Sequence, residues 1–290
     1  MIIALFPNQQ KKNSNNLAKG ILEFLTGKGI AVVVDDASAS LIGARPLSTV
    51  DPRKIDFLIS MGGDGTILRL LHQHPNLLAP VVGINLGHLG FLADIPTSDI
   101  YPSLQDLLDN KYRIEKRLML DGKMIGSEAH HHANIKNGFA VNDIVVHRSR
   151  TPSLIELAIH MDGEYLNTFV ADGIILSTPT GSTAYSLAAG GPILSPEIDA
   201  IVLTPISAHT ISNRPIVFMP KRDIQIQYLS QHVEPIEITF DGVTRLQMKT
   251  GEVFRVTRSP HHFHLASLNR HNYFATLRTK LGWSGGKLRQ

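Results

Sequence analysis

The stretch that decides the fold is Ile55-Asp56-Phe57-Leu58-Ile59-Ser60-Met61-Gly62-Gly63-Asp64-Gly65-Thr66-Ile67-Leu68-Arg69-Leu70-Leu71-His72. The apolar run at 55–61 predicts a strand buried on both faces, and residues 67–72 predict the helix that follows it. Three glycines between them permit positive φ and close backbone approach, and the start of the helix offers free N–H groups to an anion. The sequence therefore predicts a phosphate-binding turn.

Asp64 places a carboxylate inside this predicted anion site, where it would repel a phosphate unless it has a second role. We predict that Asp64 accepts a proton from an attacking hydroxyl or holds Mg²⁺. The plainer alternative is a strand-to-helix turn in which Asp64 only caps the helix. A dinucleotide fingerprint is not present, because Leu68 stands where the third glycine is needed, and Gly29 after Lys28 rules out a P-loop.

Short apolar runs on either side of this stretch indicate the rest of the first domain. Residues 2–6, 30–34 and 81–84 are rich in β-branched residues and Leu, and residues 16–25 place apolar side chains at helical spacing. Strand and helix alternate, so we predict a doubly wound α/β fold with a Rossmann-like parallel sheet over residues 1–97.

The chain changes character after Pro96. A short helical piece at 100–108 is followed by segments with period-two alternation, most clearly at 154–161 and 224–228, and Asp162-Gly163 is a strong hairpin signal. We predict an antiparallel, β-rich, sandwich-like domain over residues 98–269. The segment 270–290 is expected to pack back on the first domain.

Two further polar clusters follow predicted strands. The first is Asp172-Gly173-Ile174-Ile175-Leu176-Ser177-Thr178-Pro179-Thr180-Gly181-Ser182-Thr183-Ala184-Tyr185-Ser186, in which the hydroxyls can bind a sugar or phosphate and Tyr185 can stack on a base. The second is Asn142-Asp143, an amide beside a carboxylate that suits a ribose or an adenine edge. Ordinary turn and cap chemistry is the alternative for both clusters.

The composition excludes several classes of protein. The 290 residues carry 28 Lys and Arg against 25 Asp and Glu, a net charge of +3, and no Cys. A disulfide scaffold, a zinc ribbon and a cysteine nucleophile are therefore excluded, and the scattered basic residues do not indicate nucleic acid. No apolar run approaches the roughly 18 residues of a membrane span, and the first residues lack a signal peptide pattern, so we expect a cytoplasmic protein with no membrane partner.

Fourteen His form the other unusual count, with clusters at 130–132 and 261–264. They leave a metal site open, although no Cys supplements them and none of the residues proposed above to carry chemistry is a His.

Taken together, the Gly62–Thr66 turn, Asn142-Asp143 and the Asp172–Ser186 block resemble NAD kinases in order and separation. Asn85-Leu86-Gly87-His88-Leu89-Gly90-Phe91-Leu92, Ser212-Asn213-Arg214-Pro215 and Lys280-Leu281-Gly282-Trp283 look like further signatures of that family. The resemblance implies transfer of the terminal phosphoryl group of ATP to the 2′-hydroxyl of the adenosine ribose of NAD, giving NADP. It also implies Mg²⁺ held through the nucleotide phosphates, with no protein ligand identified, and a homodimer or homotetramer.

The resemblance also implies roles for single residues. Asp64 matches the family's proton acceptor, and Gly62, Gly63, Gly65 and Thr66 match its phosphate and ATP loop. The positions that match NAD-binding residues are Gly65, Asn142, Asp143, Asp172, Thr183, Ala184, Tyr185 and Ser186.

The chain departs from the family pattern in three places. Asp143 replaces a frequent Glu, Val243 follows Asp241-Gly242 where a Gln is common, and the histidines at 130–132 are not part of the pattern.

Two other functions stay open from the sequence. The Gly-Gly-Asp-Gly turn also occurs in lipid and sugar kinases of the same superfamily, and a non-catalytic dinucleotide sensor would need the same pocket. A carboxylate in a phosphate loop argues against the sensor. Polyphosphate is an alternative phosphoryl donor, and NADH an alternative acceptor.

Overall fold

A computed structural model describes residues 1–87, 89–125, 137–149, 153–209, 214–221, 223–231, 234–268 and 272–283. The chain divides into two compact units, a first unit of Met1–Glu115 with His264–Gln290 and a second unit of Lys116–Phe263. No helix in these described ranges is long and apolar enough to cross a membrane. His88, the histidines at 130–132 and Ser212-Asn213 lie outside the described residues.

The first unit is built on a parallel sheet. Its strands are β1 (Ile2–Pro7), β2 (Ala31–Val34), β3 (Arg45–Pro46), β4 (Phe57–Gly62), β5 (Val81–Asn85) and β6 (Ile95–Pro96). Its helices are α1 (Ser14–Gly27), α2 (Asp36–Ile42), α3 (Asp64–Gln73) and α4 (Ile100–Leu108). Strand β1 pairs in parallel with β2 and β4, and β4 pairs in parallel with β5. The predicted parallel α/β fold is confirmed.

Helices cover both faces of this sheet, as continuous apolar strands require. On one face, Ile21 of α1 and Leu104 of α4 share a core with Ile59 of β4. On the other face, a Cβ added to Gly83 of β5 would lie 3.0 Å from Cδ1 of Ile67 in α3. Every residue of β4 is buried, so the strand that leads into the glycine turn is packed on both faces.

The second unit is an antiparallel sandwich. Its elements in chain order are β7 (Arg113–Ile125), β8 (Asn137–Ala140), β9 (Asp143–His147), β10 (Ile155–Met161), β11 (Glu164–Ala171), β12 (Gly173–Ser177), α5 (Tyr185–Ala188), β13 (Ile201–Ile206), β14 (Ile216–Phe218), β15 (Ile224–Tyr228), β16 (Ile236–Phe240), β17 (Thr244–Met248) and β18 (Val253–Ser267). One sheet has the order β14-β13-β12-β9-β16-β17. The other contains β11-β10-β15-β18, and β7 pairs with β18 and β8.

Alternate residues of both sheets form the core of the sandwich. Ile224 and Ile226 of β15 and Ile238 of β16 point into one apolar cluster, and the rings of Phe240 and Phe254 meet edge to face at 6.1 Å. The period-two pattern in the sequence therefore marks the inward-facing side chains, which confirms the sandwich-like fold.

The end of the chain belongs to the first unit. The last residues of β18 pair in parallel with β5 through Leu265 and Val81, and helix α6 (Tyr273–Leu281) follows. Leu277 of α6 is buried, and the ring of Tyr273 lies 5.9 Å from that of Phe91.

The division between the units lies after Glu115 rather than at the predicted residue 97. Helix α4 accounts for the difference, because Ile100, Leu104 and Leu107 are all buried in the core of the first unit. The return to the first unit begins at His264, inside β18, instead of at the predicted 270. A continuous strand carries no turn signal, so the sequence gives no sign of that boundary.

The predicted hairpin at Asp162-Gly163 is confirmed, since it joins the antiparallel strands β10 and β11. Both residues have positive φ, 52° and 85°, as the tight turn demands. A Cβ added at Gly163 would meet nothing within 4 Å, so a side chain there would be strained only by the backbone conformation.

We expect Gly163→Ala to lower the free energy of unfolding by about 1 kcal/mol. Gly27→Ala is the matched control, because Gly27 lies in α1 with the same open surroundings and no positive φ. That change should leave stability unchanged or raise it slightly. Urea unfolding followed by circular dichroism measures both, and an equal effect of the two substitutions would contradict the turn assignment.

Candidate functional site

The glycine turn lies at the carboxyl end of β4, where open α/β sheets bind ligands. None of Gly62, Gly63 and Gly65 has positive φ, so the predicted conformational reason for these glycines is wrong. For Gly62 the reason is space instead. A Cβ added to Gly62 would overlap the side chain of Thr66, whereas one added to Gly63 or Gly65 would meet nothing within 4 Å. Gly63 and Gly65 therefore leave the backbone open to a ligand.

Thr66 fixes the shape of the turn. Its N–H donates to the carbonyl of Gly63 at 2.8 Å, and its Oγ1 accepts from the N–H of Gly63 at 3.3 Å and from Nδ2 of Asn8 at 3.1 Å. Nη2 of Arg69 lies 3.5 Å from the same oxygen and brings a positive charge to the turn. Sequence reasoning missed Arg69, although its position one helical turn after Thr66 was a signal that could have found it.

Asp64 does not cap its own helix, because Gly63 is the N-cap and Asp64 is the first helical residue. Its carboxylate accepts three consecutive backbone N–H groups from another segment. Oδ1 accepts from Leu92 at 3.0 Å and from Ala93 at 2.9 Å, and Oδ2 accepts from Phe91 at 2.9 Å. The capping alternative is thereby excluded.

The count of lone pairs distinguishes the two oxygens of Asp64. A carboxylate has about four acceptor positions, two on each oxygen. Among the described residues, Oδ1 receives two donors and Oδ2 receives one. Oδ2 therefore keeps one acceptor position for a proton or a ligand hydroxyl.

The second unit contains a cavity of about 540 Å³, a size typical of small-molecule sites. Five of the predicted residues line it: Asn142, Asp143, Asp172, Ala184 and Tyr185. Seven further lining residues were not predicted as site residues: Val145, His147, Arg148, Ile206, Thr239, Asp241 and Gly242.

Asp241 organises one wall of this cavity. Its Oδ1 accepts from the N–H of Asn142 at 2.7 Å and of Asp143 at 3.1 Å, and its Oδ2 accepts from the N–H of Val141 at 2.9 Å. In return, the N–H of Asp241 donates to the carbonyl of Asp143 at 2.9 Å. The Asp-Gly pair at 241–242 was the only sequence signal for this contact, which spans about a hundred residues.

Asp143 is the least satisfied carboxyl in the cavity. It is only 5% exposed, and burial followed by the charge of nearby Asp241 raises the pKa of Asp143 to about 7. A carboxyl in this state can exist in either protonation form near neutral pH. It can therefore donate a hydrogen bond to a ligand as well as accept one.

Asp172 is paired, in contrast. Its Oδ1 lies 2.7 Å from Nε of Arg148, and its carbonyl accepts the N–H of Arg148 at 3.0 Å. The cavity thus carries three carboxyl groups against one guanidinium, a balance that favours hydroxyl and amino groups over phosphates as partners.

Most hydroxyls of the 172–186 block bond to the protein itself, whereas the buried Oγ1 of Thr180 has no hydrogen-bond partner among the described residues. Thr178 Oγ1 donates to the carbonyl of Val141 at 2.6 Å, Ser182 Oγ donates to that of Pro179 at 2.7 Å, and Ser186 Oγ lies 2.9 Å from Oγ1 of Thr204. These hydrogen bonds are of the kind that the turn-chemistry alternative predicts.

Thr183 and Ser186, also predicted to bind NAD, do not line this cavity, and their role stays a prediction. Ser186 is fully buried, and the Oγ1 of Thr183 donates to the carbonyl of Thr180 at 3.2 Å. The block instead delivers Ala184 and the half-exposed ring of Tyr185 to the cavity wall. Gly65, also predicted to contact the dinucleotide, lies in the first unit.

No group of three His, Asp or Glu side chains in the described part of the chain could hold a metal ion. The described residues include the cluster His261, His262 and His264, which forms no such group. Nε2 of His262 instead lies 3.3 Å from Nη2 of Arg258.

Comparisons with known proteins show what the chain is similar to. Residues 3–112 match the family model described as the ATP-NAD kinase N-terminal domain, and residues 141–268 match that of the ATP-NAD kinase C-terminal domain. The chain is 53% identical over 284 residues to the NAD kinase of Protochlamydia amoebophila, covering 98% of this chain and 99% of the relative. It is 36% identical over 287 residues to that of Moorella thermoacetica, covering 98% and 90%.

Two solved structures resemble the fold. Yeast NADH kinase complexed with NADH has a TM-score of 0.81 at 26% identity and covers 100% of this chain and 90% of its own. An NAD kinase from Archaeoglobus fulgidus in complex with ATP has a TM-score of 0.74 at 22% identity, covering 97% and 99%.

The pKa of Asp143 makes stability depend on pH. Between about pH 4 and pH 7 the folded chain holds a proton that the unfolded chain has lost, so the contribution of Asp143 to stability falls as the pH rises through this window. Relative to Asp143→Asn, the free energy of unfolding of the ligand-free chain should fall by about 4 kcal/mol at most between these pH values. Urea titrations at several pH values measure this, and parallel pH profiles for the two chains would contradict the assignment.

Proposed function

The chain belongs to the NAD kinase family, and from that premise we propose that Asp64 accepts a proton from NAD. The proton comes from the 2′-hydroxyl of the adenosine ribose as that hydroxyl attacks ATP. In the reaction of this family, the 2′-oxygen of the adenosine ribose of NAD bonds to the terminal phosphorus of ATP. The bond from that phosphorus to the bridging oxygen breaks, ADP leaves, and NADP is formed. The hydroxyl proton needs an acceptor, and the open acceptor position on Oδ2 of Asp64 is the observation that carries this proposal.

A carboxylate is sufficient for this step. Phosphoryl transfer passes through a loose transition state in most analyses, so positioning and charge stabilisation supply most of the rate. Three amide hydrogen bonds fix Asp64 in one orientation, which supports a positioned base more than a freely rotating one.

We assign the phosphate and ATP loop to Gly62, Gly63, Gly65 and Thr66. The open space beside Gly63 and Gly65 and the positive end of the ten-residue helix α3 support this assignment. Arg69, beside Thr66, adds a charge suited to the same phosphates.

The cavity of the second unit is assigned to the adenosine ribose and adenine of NAD. Asn142, Asp143 and Asp172 supply polar groups for ribose hydroxyls and the adenine edge, and Tyr185 supplies a face for stacking. The excess of carboxyl groups supports a nucleoside here rather than a phosphate. Thr183 and Ser186 are assigned a supporting role, because their hydroxyls bond to the protein.

Membership of an ATP-dependent kinase family implies a divalent metal. The described residues do not form a cage for it, so no residue is assigned as a ligand. We propose that the metal is Mg²⁺ and that the phosphates of ATP hold it, since Mg²⁺ is often bound through substrate phosphates.

The assembly and location are proposals as well. Strand β14 is an edge of its sheet and leaves Val217 and the following Met219 exposed, which supports a homodimer or homotetramer. The absence of Cys supports a cytoplasmic location.

Assays of each donor with each acceptor separate the remaining alternatives. ATP and polyphosphate are the donors, and NAD, NADH, diacylglycerol and sphingosine are the acceptors. Transfer from ATP to NAD is expected, and transfer to a lipid with none to NAD would overturn the function. Activity with polyphosphate or NADH would widen the donor or acceptor range.

We expect Asp64→Asn to lower kcat about 100-fold or more and to change the Kd for NAD by less than about threefold, because only the proton acceptor is lost. Asp109→Asn is the matched control, since Asp109 is an exposed carboxylate at the end of α4 in the same unit. Initial rates and isothermal calorimetry measure both variants. A near-normal kcat in Asp64→Asn would show that Asp64 is not the base.

A further inference from the structure

We propose that residues 90–93, here called the amide cradle, position the base, and that helix α6 braces the cradle through Phe91. This inference rests on the proposed role of Asp64 and extends it to residues that touch no substrate. The cradle is a tight turn in which the N–H of Gly90 donates to the carbonyl of Ala93 at 3.0 Å. That turn directs the N–H groups of Phe91, Leu92 and Ala93 to one carboxylate.

Gly90 is required for space. Its φ is not positive, so the backbone conformation there suits any residue. A Cβ added at Gly90 would overlap Oδ1 of Asp64 and would lie 2.9 Å from the carbonyl oxygen of Ala93. Neither contact can be relieved by moving the tip of a flexible side chain, because one atom is backbone and the other is held by two amides.

Gly83 leaves room for the cradle to pack on the sheet. It lies in β5, and a Cβ there would overlap the carbonyl oxygen of Leu92 and would lie 2.6 Å from Cα of Ala93. The cradle backbone therefore packs directly on the central sheet. Two glycines make room for the same arrangement, Gly83 in β5 for the cradle and Gly90 in the following loop for the carboxylate.

Phe91 links the cradle to the end of the chain. Its N–H binds Oδ2 of Asp64, while its half-buried ring lies 5.9 Å from that of Tyr273 and 5.4 Å from Nζ of Lys280. Tyr273 and Lys280 belong to α6 and give Phe91 an aromatic and a cation–π contact. A change in α6 can therefore move the N–H of Phe91. That N–H orients Oδ2 of Asp64, the oxygen with the open acceptor position.

The expected consequence is selective. A shift of about 1 Å in a reacting group can cost about 100-fold in rate. Because the cradle contacts Asp64 and no substrate is assigned to it, its loss should lower kcat and leave the KM values for NAD and ATP nearly unchanged. A purely structural role would lower the amount of folded enzyme instead.

The first variant is Gly90→Ala, with Gly27→Ala as the control that adds the same methyl group in open space. We expect kcat to fall about 100-fold in Gly90→Ala, with KM for NAD within about threefold of the parent and no change in the control. Kinetics are measured on protein whose melting temperature is recorded. A folded Gly90→Ala enzyme with the parent kcat would overturn the proposal.

Phe91→Ala decides the question if Gly90→Ala does not fold. The kcat of Phe91→Ala should fall about tenfold, because the ring contacts with α6 are lost while the three amides still bind Asp64. This loss is smaller than the one expected when Gly90→Ala displaces the carboxylate. Phe91→Tyr should restore kcat. Phe274→Ala is the control, because Phe274 is an exposed aromatic of the same helix that packs on Tyr273 rather than on Phe91. An unchanged kcat in Phe91→Ala, or a loss that Phe91→Tyr does not restore, contradicts the bracing role.

These variants distinguish a failure of the cradle proposal from a failure of the proposed function. If Asp64→Asn is inactive while Gly90→Ala and Phe91→Ala keep the parent kcat, the base stands and the cradle fails. If Asp64→Asn keeps its activity, the base itself is wrong, whatever the cradle variants do.

Discussion

A carboxylate bound by three consecutive backbone N–H groups occurs in each of the two units, and the polar groups of each unit depend on it. Asp64 is held in this way by residues 91–93, and Asp241 by residues 141–143. Hydrogen bonds to a charged group contribute about 1.5–3 kcal/mol each, and the amides would otherwise lack partners. One side chain thereby fixes the backbone of a distant segment in each unit, and the segment in turn fixes the side chain.

The two carboxylates have different consequences. Around Asp64, the amides consume three acceptor positions and leave Oδ2 with one, which turns an ordinary Asp into an oriented acceptor. Around Asp241, both oxygens serve the wall of the cavity, and its fixed charge lies near the buried Asp143. In the function proposed above, a helix N-terminus and glycine backbone bind the phosphates, and a cavity rich in carboxyl groups binds the nucleoside.

Local patterns made much of the fold predictable. The buried strand β4, the start of α3 near Asp64 and the hairpin at Asp162-Gly163 all follow from periodicity and turn chemistry over a few residues. The partners of Asp64 lie 27 to 29 residues away and those of Asp241 about a hundred, and nothing in their local sequence specifies these contacts. Hydroxyls such as that of Ser186 were ambiguous because the same residue types serve turns and ligands.

A crystal structure of the chain with NAD and a non-hydrolysable ATP analogue would show whether Oδ2 of Asp64 receives the 2′-hydroxyl. Hydrogen-bond geometry predicts that the 2′-oxygen of the adenosine ribose lies about 2.5–3 Å from Oδ2 of Asp64. In that complex, Oδ1 should still accept the N–H groups of Leu92 and Ala93. A 2′-oxygen bound at Oδ1, or an Asp64 released from the amides of residues 91–93, would contradict the proposed role of Asp64.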